Sequence, residues 1–311
     1  MIAYLNGEYL PHDETKVSID DRGLMFGDSA FDVARTFGGR PFKLDDHLGR
    51  LGRSLRYIEL GADELVDEVA TATDGVLERN RDEIEAEGDV WIDQIVTRGP
   101  VADPTDVDFH PTVIVKLRKL NFSFFGPLYD KGIDVHVSLL TSHFAAPLDP
   151  RAKAANRLAA VRAELKGIRM KQFGGGHWTI VFNPDGSVAE TYSANICTVT
   201  GGKLIRPPRE DALEGISLDT VAKLAANLGL PVEERKIWLY DLLNSDETIL
   251  TATSFSLLPV NSVDGIPLRR GREVYRSLVR NWIELVGFDF VTQAQERAQA
   301  AVSGVAAPRS E

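Results

Sequence analysis

Five tight-turn signals most constrain how this chain folds. Asn6-Gly7 interrupts the alternation IAYLNGEYL, and Gly38-Gly39 interrupts ARTFGGRPFKL. Asn183-Pro184-Asp185-Gly186 separates WTIVF from SVAE, Gly201-Gly202 separates ICTVT from KLIRP, and Asp264-Gly265 separates LPVNSV from IPL. Such turns need backbone at positive φ, which Gly and Asn adopt at low cost, and they join adjacent antiparallel strands. Hairpins at both ends of the chain predict antiparallel sheets. Helical patterns fall between them. Leu48, Leu51, Leu55 and Ile58 recur at spacings of three and four in DDHLGRLGRSLRYIEL. DELVDEVATATDGVLERN and REVYRSLVRNWIELVG predict two more helices. ISLDTVAKLAANLG predicts another, with Val221, Leu224, Ala225 and Leu228 on one face and Gly229 closing it. AANRLAAVRAELKG predicts a fifth. The fold class is α+β, without the regular βαβ alternation of a doubly wound nucleotide fold.

The chain has 311 residues, which at roughly 100–200 residues per domain suggests two domains. The run LRKLNFSFFGPLYDKG breaks the periodicity and carries Gly and Pro. It places a linker at 121–132, between a domain over 1–120 and one over 133–295. The Ala-rich end, 296–311, is expected as a frayed helix and a loose tail.

Charge and cysteine usage narrow the function classes. There are 35 Lys+Arg against 46 Asp+Glu, a net charge of −11. Nucleic acid and anionic membrane are poor partners for such a chain, because phosphate binding needs a basic face. Cys197 is the single cysteine. It excludes an intrachain disulfide and a Cys-based metal site, and it fits a reducing, cytoplasmic setting. The start MIAYLNGEYL lacks the basic region of a signal peptide. No apolar run approaches the roughly 20 residues of a membrane span. The six histidines (12, 47, 110, 136, 143 and 177) show no HxxxH or HxH pairing, so no metal is expected. Gly174-Gly175-Gly176 lacks the Lys-Ser/Thr of a P-loop and predicts a turn. No GxSxG elbow is present.

Four places offer chemistry, each beside a plainer alternative. Glu214-Gly215-Ile216-Ser217 opens an amphipathic helix. Ser217 is expected to cap it, and the first-turn amides suit an anion; most helix starts bind nothing. Lys153, in LDPRAKAANRL, lies in a locally apolar stretch. A desolvated lysine has a lowered pKa and forms Schiff bases with carbonyls; most lysines are simply solvated. Glu190 ends a strand-like run with Asn195 five residues on. A carboxylate there suits a protonated ring nitrogen, or it faces solvent. Arg50 adjoins the apolar stripe of its helix. Its fork of donors suits a phosphate, or it lies on the surface, as Arg53 and Arg56 are expected to.

The run RGLMFGDSAFDVARTFGGRPFKLDDHLGRLGRSL resembles the N-terminal signature of class IV (fold type IV) pyridoxal-phosphate aminotransferases. KAANRL, GSVAETYSANICTV, LEGIS and ATSFSLLPV follow in that family's order. The family holds branched-chain, D-amino-acid and (R)-amine aminotransferases and aminodeoxychorismate lyases. The resemblance implies pyridoxal 5'-phosphate as cofactor, and a homodimer whose partner chain completes each site. It also implies a smaller N-terminal α/β sandwich and a larger C-terminal domain with a pseudo-barrel of antiparallel strands. Lys153 matches the Schiff-base lysine, Glu190 the carboxylate on the pyridine nitrogen, and Arg50 the phosphate arginine. Ile216, Ser217 and Thr253 match further phosphate contacts, and Asn195 and Arg157 further cofactor contacts. Phe26, Phe31, Val33, Trp91, Arg98 and Ser254 are implied to line the substrate pocket.

The implied activity moves an amino group between an amino acid or primary amine and a 2-oxo acid. A lyase using the same lysine and a non-catalytic binding protein are the alternatives. Several departures bear on the substrate. Phe31-Asp32-Val33 stands where branched-chain enzymes carry Phe-Glu-Gly, and resembles the D-amino-acid and (R)-amine branches. Trp91 and Asp93 occupy the place of a Tyr-x-Arg. Arg98 in QIVTRGP again resembles those two branches, yet VADPTDVDFHP lacks the Arg-x-His of D-amino-acid enzymes.

Overall fold

The computed structural model describes residues 1–61, 63–100, 109–141, 148–169, 178–269 and 271–303. His143, His177 and the Gly174–Gly176 turn lie outside the described residues. The chain divides into two compact units. Among the described residues, the first comprises 1–120 together with 152–156, and the second comprises 121–151 and 157–303.

The first unit holds β1 (Ile2–Leu5), β2 (Glu8–Pro11), α1 (Arg22–Phe26), β3 (Ser29–Phe37) and β4 (Arg40–Pro41). They are followed by α2 (Leu44–Tyr57), α3 (Asp63–Arg79), α4 (Arg81–Glu87), β5 (Val90–Thr97) and β6 (Thr112–Lys119). Its six strands run β2-β1-β6-β5-β3-β4, with every neighbouring pair antiparallel. Asn6 and Gly7 take φ of +46° and +93°, and Gly38 and Gly39 take +55° and +75°, as the hairpin signals require. Strand alternation gives the sheet one apolar face. Ala30, Ala34, Ile92, Val96, Val113 and Leu117 pack there against Leu48, Leu51 and Leu55 of α2 and Val69 and Val76 of α3. Each fully buried Leu contributes roughly 1.5–3 kcal/mol. The same alternation turns Asp32, between Ala30 and Ala34, towards the helices, and Phe31 and Val33 away from them.

The second unit holds α5 (Phe122–Phe125), α6 (Leu128–Lys131), β7 (Ile133–Thr141), α7 (Leu158–Arg169), β8 (Thr179–Phe182), β9 (Val188–Thr191), β10 (Asn195–Thr200) and β11 (Lys203–Arg206). Then come α8 (Ile216–Asn227), β12 (Val232–Glu234), α9 (Leu239–Asn244), β13 (Glu247–Ala252), β14 (Ser256–Val263), β15 (Ile266–Pro267), α10 (Glu273–Val286) and α11 (Phe290–Ser303). The sheet order is β12-β11-β10-β13-β14-β7-β8-β9, with β15 on β14. Going from β10 to β9 crosses five strand spacings, about 24 Å if the sheet were flat. Yet β9 and β10 are joined by Tyr192–Ala194 alone, a link that spans at most about 14 Å. Thr191 N–H also donates to Ala194 C=O at 2.8 Å. The sheet must therefore curl into a half-barrel.

Three ladders are parallel: β7–β8, β7–β14 and β11–β12. The hairpin signals do not announce these. Helix α7 lies between β7 and β8, and α8 between β11 and β12; crossovers of that length allow parallel pairing.

The expected linker at 121–132 is instead part of the second unit. Its Gly and Pro punctuate two one-turn helices whose aromatic residues are packed. Phe124 stacks on Trp178 at 5.5 Å, Phe125 lies 5.7 Å from Phe255, and Tyr129 O–H donates to Phe255 C=O at 3.1 Å. Gly126 is required, because a Cβ there would meet Ala294 C=O at 2.3 Å. The helix expected at the Ala-rich end is α11, which runs to Ser303 with Ala294 and Ala298 buried, and the rest of the expected tail lies outside the described residues. Cys197 is fully buried in β10, and burial pushes its thiol up to about 12. Among the described residues no group of His, Cys, Asp and Glu could hold a metal ion, and no helix is long and apolar enough to cross a membrane.

Candidate active site

Lys153 was legible as a lysine in an apolar stretch, but its surroundings are non-local. Residues 152–156 join the first unit through an antiparallel bridge between Ala154 and Ala30. Phe31 N–H donates to Lys153 C=O at 3.1 Å, and Ala155 N–H donates to Ser29 C=O at 2.9 Å. Lys153 N–H donates to Ser54 Oγ at 2.9 Å. The side chain places Nζ 4.7 Å from the centroid of the Phe31 ring. This lysine is half-buried and fixed at its backbone, unlike a solvated surface residue.

Arg50 is buried, and its guanidinium grips Asp32. Nε donates to Oδ2 and Nη2 to Oδ1, both at 2.8 Å. His47 Nδ1 meets Asp32 Oδ1 at 2.6 Å, and Val33 N–H donates to the same oxygen at 2.7 Å. Burial alone would raise the Asp32 carboxyl. The Arg50 charge and the His47 contact overcome it and hold the group far below the usual carboxylate range. Burial pushes the His47 imidazole below its ordinary value, so the ring is neutral and donates to Asp32 through Nδ1–H. Asp32, His47 and Ser54 are not among the site residues expected from the sequence. A signal was present: polar residues at 47, 50 and 54 share the helix face that carries Leu51 and Leu55.

The residues implied for the substrate pocket divide. Phe31 and Val33 are half-buried on the sheet face away from the helices, opposite Ile95 and Asp93. The Arg118 guanidinium lies 4.5 Å over the Trp91 ring and grips Asp93 with both Nε and Nη2. Phe26 is 60% exposed on α1. Arg98 is committed elsewhere. Nε donates to Asp28 at 2.8 Å, Nη2 to Ile58 C=O at 2.6 Å and Nη1 to Glu59 C=O at 3.2 Å. The fork that would hold a substrate carboxylate here ties the end of α2 to the start of β3.

In the second unit, Glu190 sits on β9 and gathers its neighbours. Oε2 accepts from Leu213 N–H at 3.2 Å and Asn195 Nδ2 at 3.4 Å, and Oε1 lies 3.6 Å from Arg157 Nη2. Arg157 Nη2 also donates to Tyr192 C=O at 2.7 Å, and Asn195 Nδ2 to Leu213 C=O at 3.0 Å. Helix α8 follows directly. Ser217 does not cap it. The cap is Gly215, which has no side chain to offer, and Ser217 lies within the first turn, buried beside Ile216. Capping by a larger residue is blocked, because a Cβ at Gly215 would meet Asn195 Oδ1 at 1.8 Å. The first-turn amides of a helix carry partial positive charge and favour an anion. Thr253 and Ser254 are half-buried in the turn between β13 and β14.

Comparison with known proteins is consistent across the chain. The family model described as amino-transferase class IV matches residues 29–263. A Methanocaldococcus jannaschii protein named as a branched-chain-amino-acid aminotransferase is 30% identical over 272 residues, covering 85% of this chain and 88% of its own. A Staphylococcus aureus D-alanine aminotransferase is 27% identical over 270 residues, covering 86% and 91%. The solved branched-chain aminotransferase of Thermoproteus uzoniensis superposes with a TM-score of 0.77 at 25% identity, covering 93% of this chain and 96% of that one.

Proposed function

The chain belongs to the amino-transferase class IV family, and from that premise we propose that it is a pyridoxal 5'-phosphate aminotransferase acting through Lys153. The residues present fit that cofactor. Helix α8 starts without a side-chain cap behind a glycine that no larger residue can replace, which suits a phosphate. Two N–H bonds to Asp32 fix the plane of the Arg50 guanidinium, a group whose donor fork suits a phosphate. When bound, the cofactor supplies an electron sink for the charge left at the substrate carbon.

The protein's own groups do the rest in this reading. Lys153 Nζ would be the group that holds the cofactor, and as a free amine it would carry the proton to and from the substrate carbon. Glu190 keeps the ring nitrogen protonated, since a carboxylate beside a base raises that base's pKa. Arg157 and Asn195 position the Glu190 carboxylate. Arg50, Thr253 and the amides of Ile216 and Ser217 bind the phosphate. Phe31, Val33, Trp91 and Ser254 border the substrate. The observation that carries the reading is the backbone fixation of Lys153 against β3 and α2.

The substrates are an amino acid or primary amine and a 2-oxo acid, and the test is a donor panel. L-leucine, L-glutamate, D-alanine and both enantiomers of 1-phenylethylamine are each mixed with the yellow holoenzyme. At least one is expected to bleach the visible band, and pyruvate or 2-oxoglutarate to restore it. Protein that never takes up the cofactor overturns the reading. Pyruvate released without an acceptor favours the lyase instead.

The chain acts as a homodimer in a cytoplasmic setting, the latter in keeping with its lone buried thiol. Ile19, Leu24, Met25 and Phe26 are 60–81% exposed together on and before α1. An apolar cluster of that kind marks an interaction surface. Size-exclusion chromatography with light scattering is expected to give twice the 34.2 kDa chain mass; a single-chain mass at micromolar concentration contradicts it.

A further inference from the structure

Three polar residues stand on one stripe of α2, at positions 47, 50 and 54. They serve two different partners. His47 and Arg50 grip Asp32 on β3, whereas Ser54 reaches the segment that carries the lysine. Ser54 is 1% exposed, so its hydroxyl is shielded from bulk water. It donates its one hydrogen to Arg50 C=O, a turn back along the helix, at 3.0 Å. That bond turns its acceptor side to Lys153 N–H, 2.9 Å away.

The segment that carries Lys153 is also held by β3. It meets β3 through an isolated bridge and not a continuous ladder. The two hydrogen bonds flanking that bridge, Phe31 N–H to Lys153 C=O and Ala155 N–H to Ser29 C=O, lie along one line. A line of contacts fixes position and leaves tilt about itself. Ser54 adds a contact from α2, off that line. We propose that Ser54 is a positioning residue for the reactive amine, setting the tilt of the Lys153 backbone and with it the place of Nζ. A four-carbon stem puts Nζ about 6 Å from Cα. A tilt of about 10° therefore moves it by about 1 Å, a displacement that costs about 10²-fold in rate where a reacting group must be met. This role rests on the reading of Lys153 given above and extends it to a residue that touches neither substrate nor cofactor.

The test compares Ser54→Ala and Ser54→Thr as holoenzymes. Ser54→Ala is expected to lower kcat about 10–100-fold while leaving the donor KM within about twofold. It should also weaken the circular dichroism of the visible cofactor band, which reports how the bound ring is oriented. Ser54→Thr keeps the hydroxyl and should restore both. A serine that merely supports the fold would lower the melting temperature and leave kcat, the kcat-to-KM split and the visible dichroism of the folded variant unmoved, and that result overturns the proposal. Should Ser54→Ala not accumulate as folded protein, Ser54→Cys, which weakens both hydrogen bonds at similar size, is read by the same criteria. An active wild type beside an equally active Ser54→Ala sinks only this role; a wild type without band or transfer sinks the functional reading itself.

Discussion

Lys153→Ala is expected to lower amino transfer by about 10⁴-fold or more, because one side chain supplies both the covalent hold and the proton carrier. The variant should still fold. The contacts that fix residue 153 are made by its backbone, through Phe31 N–H and Ser54 Oγ, and neither needs the side chain. Among the contacts the side chain gives up is the ammonium over the Phe31 ring, of the kind estimated at about 0.5–1 kcal/mol when exposed. Lys153→Arg separates the two possible sources of the loss. It keeps a cation above Phe31 but cannot form the covalent link, so it should be as inactive as Lys153→Ala. The checks are the visible band, the initial rate with the best donor, and far-UV circular dichroism. Either variant retaining transfer within about tenfold of wild type would remove Lys153 from the reaction.

Local features of this fold were legible and non-local ones were not. Asn6-Gly7, Gly38-Gly39 and Gly201-Gly202 announce their hairpins because positive φ is a property of the residue itself. The helix carrying Leu48, Leu51 and Leu55 is legible because its period is internal to the segment. Leu228, counted with the apolar face of α8, proves exposed at the helix end, where the period no longer points at a partner. Ser217 was expected at the cap from its type alone. The cap falls two residues earlier, because Asn195 crowds Gly215 from a strand the local sequence does not mention. Residues 152–156 follow the same logic. Nothing near Lys153 says that Ala154 pairs with Ala30, so a domain boundary drawn by composition leaves the lysine in the wrong unit. At the site itself, the residue types named candidates for chemistry, while their partners had to be seen. Arg50 adjoining an apolar stripe looks like a surface arginine until Asp32 is found facing it from β3.

Asp32 carries the largest expected effect on stability. It points from the sheet into the packed face between α2 and β3, where an unpaired charge is costly. Asp32→Ala leaves the Arg50 guanidinium, itself only 4% exposed, without its carboxylate. Removing one partner of a buried ion pair costs about 3–5 kcal/mol, enough to unfold an appreciable share of a chain stabilised by about 5–15 kcal/mol. The pH dependence has a definite sign. Burial opposes ionisation of Asp32, but Arg50 and His47 win, so its folded pKa is depressed. The stability it contributes is complete above the unfolded value of about 3.9 and is lost as pH falls below that. His47 is also depressed, by burial. The unfolded chain takes a proton below about pH 6.5 that the folded ring refuses, so this contribution too is lost on acidification, and earlier. Wild-type stability should therefore decline from about pH 6.5 and fall more steeply below about pH 4. Asp32→Ala should start several kcal/mol lower at pH 7 and have a shallower lower branch, with Asp28 and Asp185 still depressed and Asp32 gone. Urea unfolding at pH 7, 5.5, 4 and about pH 3 reads both features. An Asp32→Ala variant within about 1 kcal/mol of wild type at pH 7 would mean that Arg50 finds another anion or water once freed, and that the buried cluster is not what holds α2 against β3.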